Sequence, residues 1–375
     1  MPASSGSSAR VHGHAGVLAH RATQRGEPRG VVRFRPRLVA SAWGFVAWLV
    51  LLAGCGPAVT TLSTPADDIA SALAAAPEGP ALGLPQEPLD PPSVPNDHVL
   101  DVLSFNAALL PEPVVSTRQT ARARAMAPHV VGYDVLVLQE VFVDAWREGL
   151  LEALADAYPY RTEVVGQDGA RGFWLRQDGG IVILSRWPIV QQSYVLFGGV
   201  CSGTDCLADK GVAYAAVRKG AFTYHVFVTH AQSDYGWPIA PRTRAEQFAL
   251  MRAFVEDLNL PPEEPVVLAG DFNVDAWTPE RDTMLAGLNA VWPPVVGPLR
   301  NTWDASRNAW AYGGAHWIDY VLYGVGHEAP VAAWNRAVPL KDGALDLSDH
   351  FAVWGRLVME HGSAASPLPW VPPAP

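Results

Sequence analysis

Between Pro265 and Asp275 the chain reads Pro-Val-Val-Leu-Ala-Gly-Asp-Phe-Asn-Val-Asp. The apolar run Val266–Ala269, closed off by Pro265 and Gly270, predicts a strand buried on both faces. Such a strand needs layers packed on either side of it, so this stretch restricts the fold more than any other. Asp271 and Asn273 follow at its exit. In extended chain, residues two apart share a face, while Phe272 between them turns back into the core. A carboxylate beside a neutral amide suits a phosphodiester. The carboxylate binds a cation or steers water, and the amide donates to phosphate oxygen without adding negative charge. Gly, Asp and Asn are equally ordinary at a strand-end turn, so the rest of the chain has to decide.

The same device recurs elsewhere. Val99–Phe105 reads as a strand that ends in Asn106, and Asp134–Gln139 as a buried strand whose apolar run Val135–Leu138 ends in Gln139-Glu140. Phe222–Thr229 ends in His230, Ile318 runs into Asp319 and Tyr320, and Ser348-Asp349-His350 opens a strand over Phe351–Leu357. Gly180–Ser185 and Gly211–Lys219 are further strands. Thr117–His129, Asp144–Ala157 and Arg242–Leu258 have helical spacing. Arg118, Arg122 and Arg124 read as one face of the first helix. Mixed strands with interspersed helices predict an α/β (α+β) fold, a four-layer αββα sandwich of two packed mixed sheets with helices outside. A lone buried ionisable group costs several kcal/mol, on the order of the penalties for unpaired ions. Polar residues at the ends of so many buried strands therefore predict convergence on one site.

The flanks of this region differ from it. Arg33, Arg35 and Arg37 precede an apolar run from Leu38 to Ala53, a basic-then-apolar pattern too short for a comfortable membrane span. It ends Leu52-Ala53-Gly54-Cys55, which resembles a bacterial lipoprotein signal cleaved before a cysteine that takes lipid. An uncleaved anchor helix is the alternative. This predicts a signal over 1–54, a lipid-anchored tether over 55–96 rich in Pro, Ala and Ser, a catalytic domain over 97–360, and a Pro-rich tail over 361–375. The expected location is the envelope of an exporting cell, held to its own membrane through Cys55. In that oxidising setting Cys201 and Cys206, five residues apart, predict a disulfide and are too few for zinc. Residues 1–54 hold seven Arg and one Glu; without them, 27 basic and 37 acidic residues become 20 and 36, a net charge of −16. So acidic a domain repels a nucleic-acid backbone.

The ordered set Asn106, Gln139-Glu140, His230, Gly270-Asp271-Phe272-Asn273, Asp319-Tyr320 and Ser348-Asp349-His350 resembles the endonuclease/exonuclease/phosphatase superfamily. Thr229-His230-Ala231-Gln232-Ser233, Asn301-Thr302-Trp303-Asp304 and Lys210-Gly211 are similar to stretches of the bacterial neutral sphingomyelinases within it. The resemblance implies a metal-dependent phosphodiesterase that hydrolyses sphingomyelin, or a related phospholipid, to ceramide and phosphocholine at a membrane surface. It implies Glu140 as main metal ligand with Asn106 beside it, and Asp349 reaching metal or a second water. The cofactor is then Mg²⁺, one ion or two, with Mn²⁺ or Co²⁺ as substitutes. His350 becomes the general base and Asp319 the carboxylate that fixes its tautomer. His230 and Asn273 donate to phosphate oxygen, and Asp271 orients water or a second metal. Lys210, Trp303 and Trp334 are the expected substrate contacts, and a monomer is expected.

The resemblance stops at membrane insertion. Secreted relatives resemble one another in an exposed apolar hairpin, and Gly324–Leu347, with Trp334 its one large aromatic, contains no clear one. Tyr235 and Trp237 are the alternative lipid contacts. Two rival functions remain open: a nuclease on the same fold, against which the acidic domain argues, and a surface lipoprotein without catalysis, against which the full set of acids and histidines argues.

Overall fold

The computed structural model describes residues 97–111, 116–166, 177–234, 236 and 238–360. The signal segment with Cys55, the tether, the Pro-rich tail, Tyr235 and Trp237 lie outside the described residues. Among those residues, no helix is long and apolar enough to cross a membrane.

In chain order the strands are β1 (Val99–Asn106), β2 (Val135–Gln139), β3 (Tyr160–Arg161), β4 (Val182–Ser185), β5 (Ile189–Leu196), β6 (Gly211–Lys219), β7 (Phe222–His230) and β8 (Val266–Asp271). They continue as β9 (Ala290–Val291), β10 (Trp303–Asp304), β11 (Ala315–His316), β12 (Asp319–Gly324), β13 (Ala332–Val338), β14 (Lys341–Asp342), β15 (Leu345–Asp346) and β16 (Ala352–Val358). The helices are α1 (Gln119–Met126), α2 (Asp144–Ala153), α3 (Ala240–Asp257) and α4 (Glu280–Leu288). Two six-stranded sheets run in the orders β13-β16-β1-β2-β4-β3 and β5-β6-β7-β8-β12-β9. Each has a parallel pair at its centre, β1 with β2 and β7 with β8, and antiparallel neighbours on both sides. The two sheets therefore repeat one arrangement.

Side-chain alternation builds the layers. In β1 and β2, Leu100, Val102, Val135 and Val137 join the core between the sheets. Leu103, Phe105, Leu136 and Leu138 point the other way, into a second core with Met126 and with Leu150 and Leu151 of α2. On the far side, Phe248, Met251 and Phe254 of α3 cover the second sheet, and Met284 and Leu288 of α4 join the same core. The four-layer αββα order is the one expected from the sequence. Gly355 of β16 lets the sheets meet closely, since a Cβ there would come within 2.4 Å of Val321 Cγ1.

Several boundaries differ from the sequence reading. The first helix ends at Met126 and passes into a 3₁₀ turn over Ala127–His129, and α2 stops at Ala153. Strands β5 and β13 were not anticipated, because as sheet edges most of their residues are exposed or half-buried and they carry no continuous buried apolar run. Arg118 and Arg124 are exposed as expected, but Arg122 is fully buried. Phe272 is fully buried as expected. Asn273 is not extended: it has φ 53°, beyond the end of β8. Simple alternation therefore does not account for its position.

Candidate active site

The repeated arrangement explains why the polar strand ends meet. In a parallel pair, both strands finish at the same edge of the sheet. Asn106 is paired with Gln139 at one such edge, and His230 with Asp271 at the other. Alternation turns Asn106, in step with Leu100 and Val102, toward the opposite sheet. Asp319 opens β12 directly opposite Asp271. His350 lies just ahead of β16, which runs antiparallel to β1, and so arrives at the same end.

The side chains close on one another there. Asn106 Nδ2 donates to Glu140 Oε1 at 3.1 Å and to Asp271 Oδ2 at 3.0 Å, while its Oδ1 accepts from the Ala108 amide at 3.0 Å. His230 Nε2 lies 3.5 Å from Glu140 Oε1 and 3.7 Å from Asp271 Oδ2. His350 Nδ1 is 2.9 Å from Asp319 Oδ2, and its Nε2 is 3.8 Å from Asp271 Oδ2. Asp271 is thus common to two possible ligand groups, Glu140–His230–Asp271 and Asp271–Asp319–His350. Glu140 sits at φ 58° and Asn273 at φ 53°, backbone conformations uncommon for side-chain-bearing residues. The Asp271 carboxylate accepts from the Asn273 amide at 2.9 Å, and Asn273 Nδ2 donates to Ala231 O at 3.2 Å. That turn, rather than extended chain, brings Asn273 beside His230.

Supporting groups hold this geometry. Ser348 Oγ donates to Asn106 O at 2.6 Å and accepts from the His350 amide at 3.1 Å, tying the His350 turn to the end of β1. Thr302 Oγ1 accepts from the Ile318 and Asp319 amides at 3.0 and 3.2 Å. The Trp303 ring meets His350 edge-on at 5.1 Å. Arg122 escaped sequence reading. Its Nη1 donates to Ala107 O and Leu347 O at 2.8 and 2.9 Å, and its Nη2 to Ala108 O at 2.6 Å. It therefore clamps the loop after Asn106 to the loop before His350. One weak signal for it was its place next to Ala123 and one turn before Met126, both apolar. Lys210, expected near substrate, is buried. Its ammonium meets Asp205 Oδ2 at 2.8 Å, His230 Nε2 at 3.1 Å and Ala231 O at 3.3 Å. Trp334 does not join the site: it lies on edge strand β13 opposite Arg356 and packs edge-on against Trp354 at 4.7 Å. The one hairpin in the expected insertion region, β14 with β15, has an exposed, charged first strand, Lys341-Asp342. Cys201 and Cys206 form the expected disulfide.

Crowded acids set the electrostatics. Burial, followed by Asp319, pushes Asp271 up to about 7. Burial and Asp349 raise Glu140, against the Asn106 hydrogen bond. Burial lowers His350, but the Asp319 charge and hydrogen bond, with Asp271 and Asp349, reverse this and hold it well above its ordinary value. His230 goes well below, through burial and then Lys210. Glu140, His230 and Asp271, and likewise Asp271, Asp319 and His350, lie close enough to be candidate ligands of a divalent cation, for which carboxylate oxygens are suitable donors. Asn106 here offers N–H to two of them, so its amide serves as a spacer between carboxylates in this arrangement.

Comparison with known proteins agrees with this geometry. The profile of the Endonuclease/Exonuclease/phosphatase family matches residues 103–350. The chain is 32% identical over 289 residues to Sphingomyelinase C 2 of Leptospira interrogans serovar Lai, an alignment covering 68% of this chain and 46% of that protein. The chain thus spans about half the length of that relative. The crystal structure of Sphingomyelinase C from Streptomyces griseocarneus superposes with a TM-score of 0.61 at 34% identity, covering 69% of this chain and 99% of the other. A Staphylococcus aureus beta toxin mutant with bound magnesium ions gives 0.63 at 28% identity, over 68% of this chain and 98% of that one. The chain belongs to the endonuclease/exonuclease/phosphatase family, and within it is similar to bacterial sphingomyelinases.

Proposed function

We propose that this protein is a divalent-metal-dependent phosphodiesterase that hydrolyses sphingomyelin, or a closely related choline phospholipid, to ceramide and phosphocholine. The observation that carries the reading is the Asp319–His350 pair, 2.9 Å apart, whose His350 Nε2 faces the Asp271 carboxylate that Glu140 and His230 also approach. Asp319 fixes the proton on His350 Nδ1 and leaves Nε2 to accept one from water. The new oxygen–phosphorus bond forms as the bond to the ceramide oxygen breaks, and the departing oxygen takes up a proton. Asn273 and His230 lie on the flank where phosphoryl oxygens gain charge. Glu140 and Asp349, with Asp271 across from them, would hold the cation, which we propose to be Mg²⁺; bound there, it supplies Lewis-acid polarisation of the phosphodiester. The domain's net negative charge favours a lipid over a nucleic acid, and the sphingomyelinase names of the relatives favour a choline head group. A monomer, tethered to its own cell's membrane through Cys55, completes the proposal.

The test is a hydrolysis panel of sphingomyelin, phosphatidylcholine, plasmid DNA and an inositol phosphate, with and without chelator. Chelator-sensitive release of phosphocholine is expected. Plasmid nicking without phosphocholine release would replace this reading by the nuclease.

A further inference from the structure

Tyr312 is 77% exposed and Trp277 52%. Single exposed apolar residues are ordinary on a surface, so what matters is where these two stand. Trp277 follows the turn at Asn273 by which the chain leaves β8, and Tyr312 lies on the loop between β10 and β11. The Tyr312 ring meets Trp303 edge-on at 5.3 Å, and Trp303 in turn meets His350 at 5.1 Å. Both loops therefore border the site. Tyr160, the other exposed aromatic of the described residues, pairs with Ser185 across from Val135, at the far end of the sheet from Gln139.

The two loops are braced. Trp303 Nε1 donates to Tyr312 O at 2.8 Å. Asn308 Nδ2 donates to Ser348 O and Trp310 Nε1 to Asp346 O, each at 2.8 Å, which seats the Tyr312 loop on the segment that leads to His350. His316 Nδ1 lies 2.8 Å from Asp275 Oδ2, and Trp277 Nε1 donates to Asn301 Oδ1 at 3.4 Å. These contacts tie the Trp277 loop to the Tyr312 loop, so both rings stand on one rim. In a domain rich in acid, residues 305–316 contain no Asp or Glu, and Arg307 among them is exposed. Asp304, just before them, is buried and accepts from the Ser306 amide at 3.0 Å. Phenol and indole rings, apolar in body and polar at one tip, settle at the head-group level of a bilayer. A rim without exposed carboxylates does not repel lipid phosphates. The hairpin β14–β15 offers no such ring, only Lys341-Asp342 on its exposed strand. Val99 and Val358 pair at the opposite pole, so neither end of the described domain covers the rim.

We propose that the rim bearing Trp277 and Tyr312 is the surface on which the protein rests against a zwitterionic phosphocholine bilayer, with the His350 site opening onto the head groups. This rests on the phosphodiesterase reading above. The experiment compares native protein with Trp277→Ser, Tyr312→Ser and both together. Binding is measured by sedimentation with sucrose-loaded phosphatidylcholine vesicles, in chelator so that no lipid is cleaved. kcat/KM is measured on bis(p-nitrophenyl) phosphate with Mg²⁺. Burial of each ring should be worth about tenfold in vesicle partition, so the double variant should bind about 100-fold more weakly. Its rate on the soluble phosphodiester should stay within about twofold of native. Native protein that does not sediment with vesicles, unchanged binding in the double variant, or equal losses on vesicles and soluble phosphodiester would overturn the proposal. A native dimer that the same substitutions split, without vesicle binding, would give the rim to a second copy of the chain and overturn it as well.

A second readout keeps the native loops, and so holds even if a serine variant does not fold. Protein carrying fluorotyrosine is mixed with phosphatidylcholine vesicles doped with a nitroxide-labelled lipid, again in chelator, and Tyr312→Phe and Tyr160→Phe assign the two resonances. The Tyr312 fluorine signal should broaden and that of Tyr160, at the opposite pole, should not. Equal broadening of the two, or none at Tyr312, would also overturn the proposal. Neither binding measurement involves turnover. A native protein that meets vesicles through Tyr312 yet cleaves no phosphodiester would therefore refute the functional reading and leave this one standing.

Discussion

Replacing Asp319 with Asn changes one atom of a buried pair and keeps its shape. Asp319 is 1% exposed and His350 6%. At 2.9 Å, opposite unit charges attract by about 6 kcal/mol at an effective dielectric near 20. Desolvation takes back part of that, and halving a buried pair costs about 3–5 kcal/mol. Each 1.36 kcal/mol is tenfold in rate, so Asp319→Asn should lower kcat by about 150- to 5,000-fold. Initial rates on bis(p-nitrophenyl) phosphate across pH measure it. The acid limb should also move to lower pH, because the imidazole loses the carboxylate that holds it above its ordinary value. Stability carries the same signature. A histidine raised above its unfolded value of 6.5 stabilises the fold fully below that pH and loses the contribution as pH climbs through the raised value. In the metal-free protein, Asp319→Asn should flatten that part of the stability profile. A kcat within tenfold of native, or an unmoved acid limb, would refute the base assignment.

Arg122→Met removes the donors to Ala107, Ala108 and Leu347 and leaves buried carbonyls unpaired, so urea unfolding should register a loss of about 3–5 kcal/mol. Because Asp271 titrates near 7 and Glu140 is also raised, protons compete with metal at the site. Calorimetry should find Mg²⁺ or Mn²⁺ affinity falling below pH 7, by up to about tenfold per pH unit for each proton displaced.

The layering and most of the site were legible because both rest on short-range rules. Continuous apolar runs identified the central strands, and the polar residues that ended them proved to share one edge. Less was legible where partners come from far away. Nothing near Lys210 in sequence announces that His230 will cap its ammonium, and it takes the pairing of β6 with β7 to bring them together. Arg122 read only as part of a helix face because its acceptors are backbone carbonyls, which have no letter of their own. Trp334 misled for the opposite reason: a large aromatic in a promising region packs instead against Trp354 and Arg356. Asn273 reached its place through a left-handed residue, which alternation does not anticipate.

The pairing of β16 with β1, Val358 opposite Val99, joins the two ends of the domain. A nascent chain that has already laid down β1 and β2 must leave the flank of β1 vacant until about 220 further residues have been synthesised. The first sheet is then finished last, and the turn carrying His350 is fastened only when β16 slots between β13 and β1. Under the proposed function, competence to react would come only with that final step of assembly, and partly made copies would be inert.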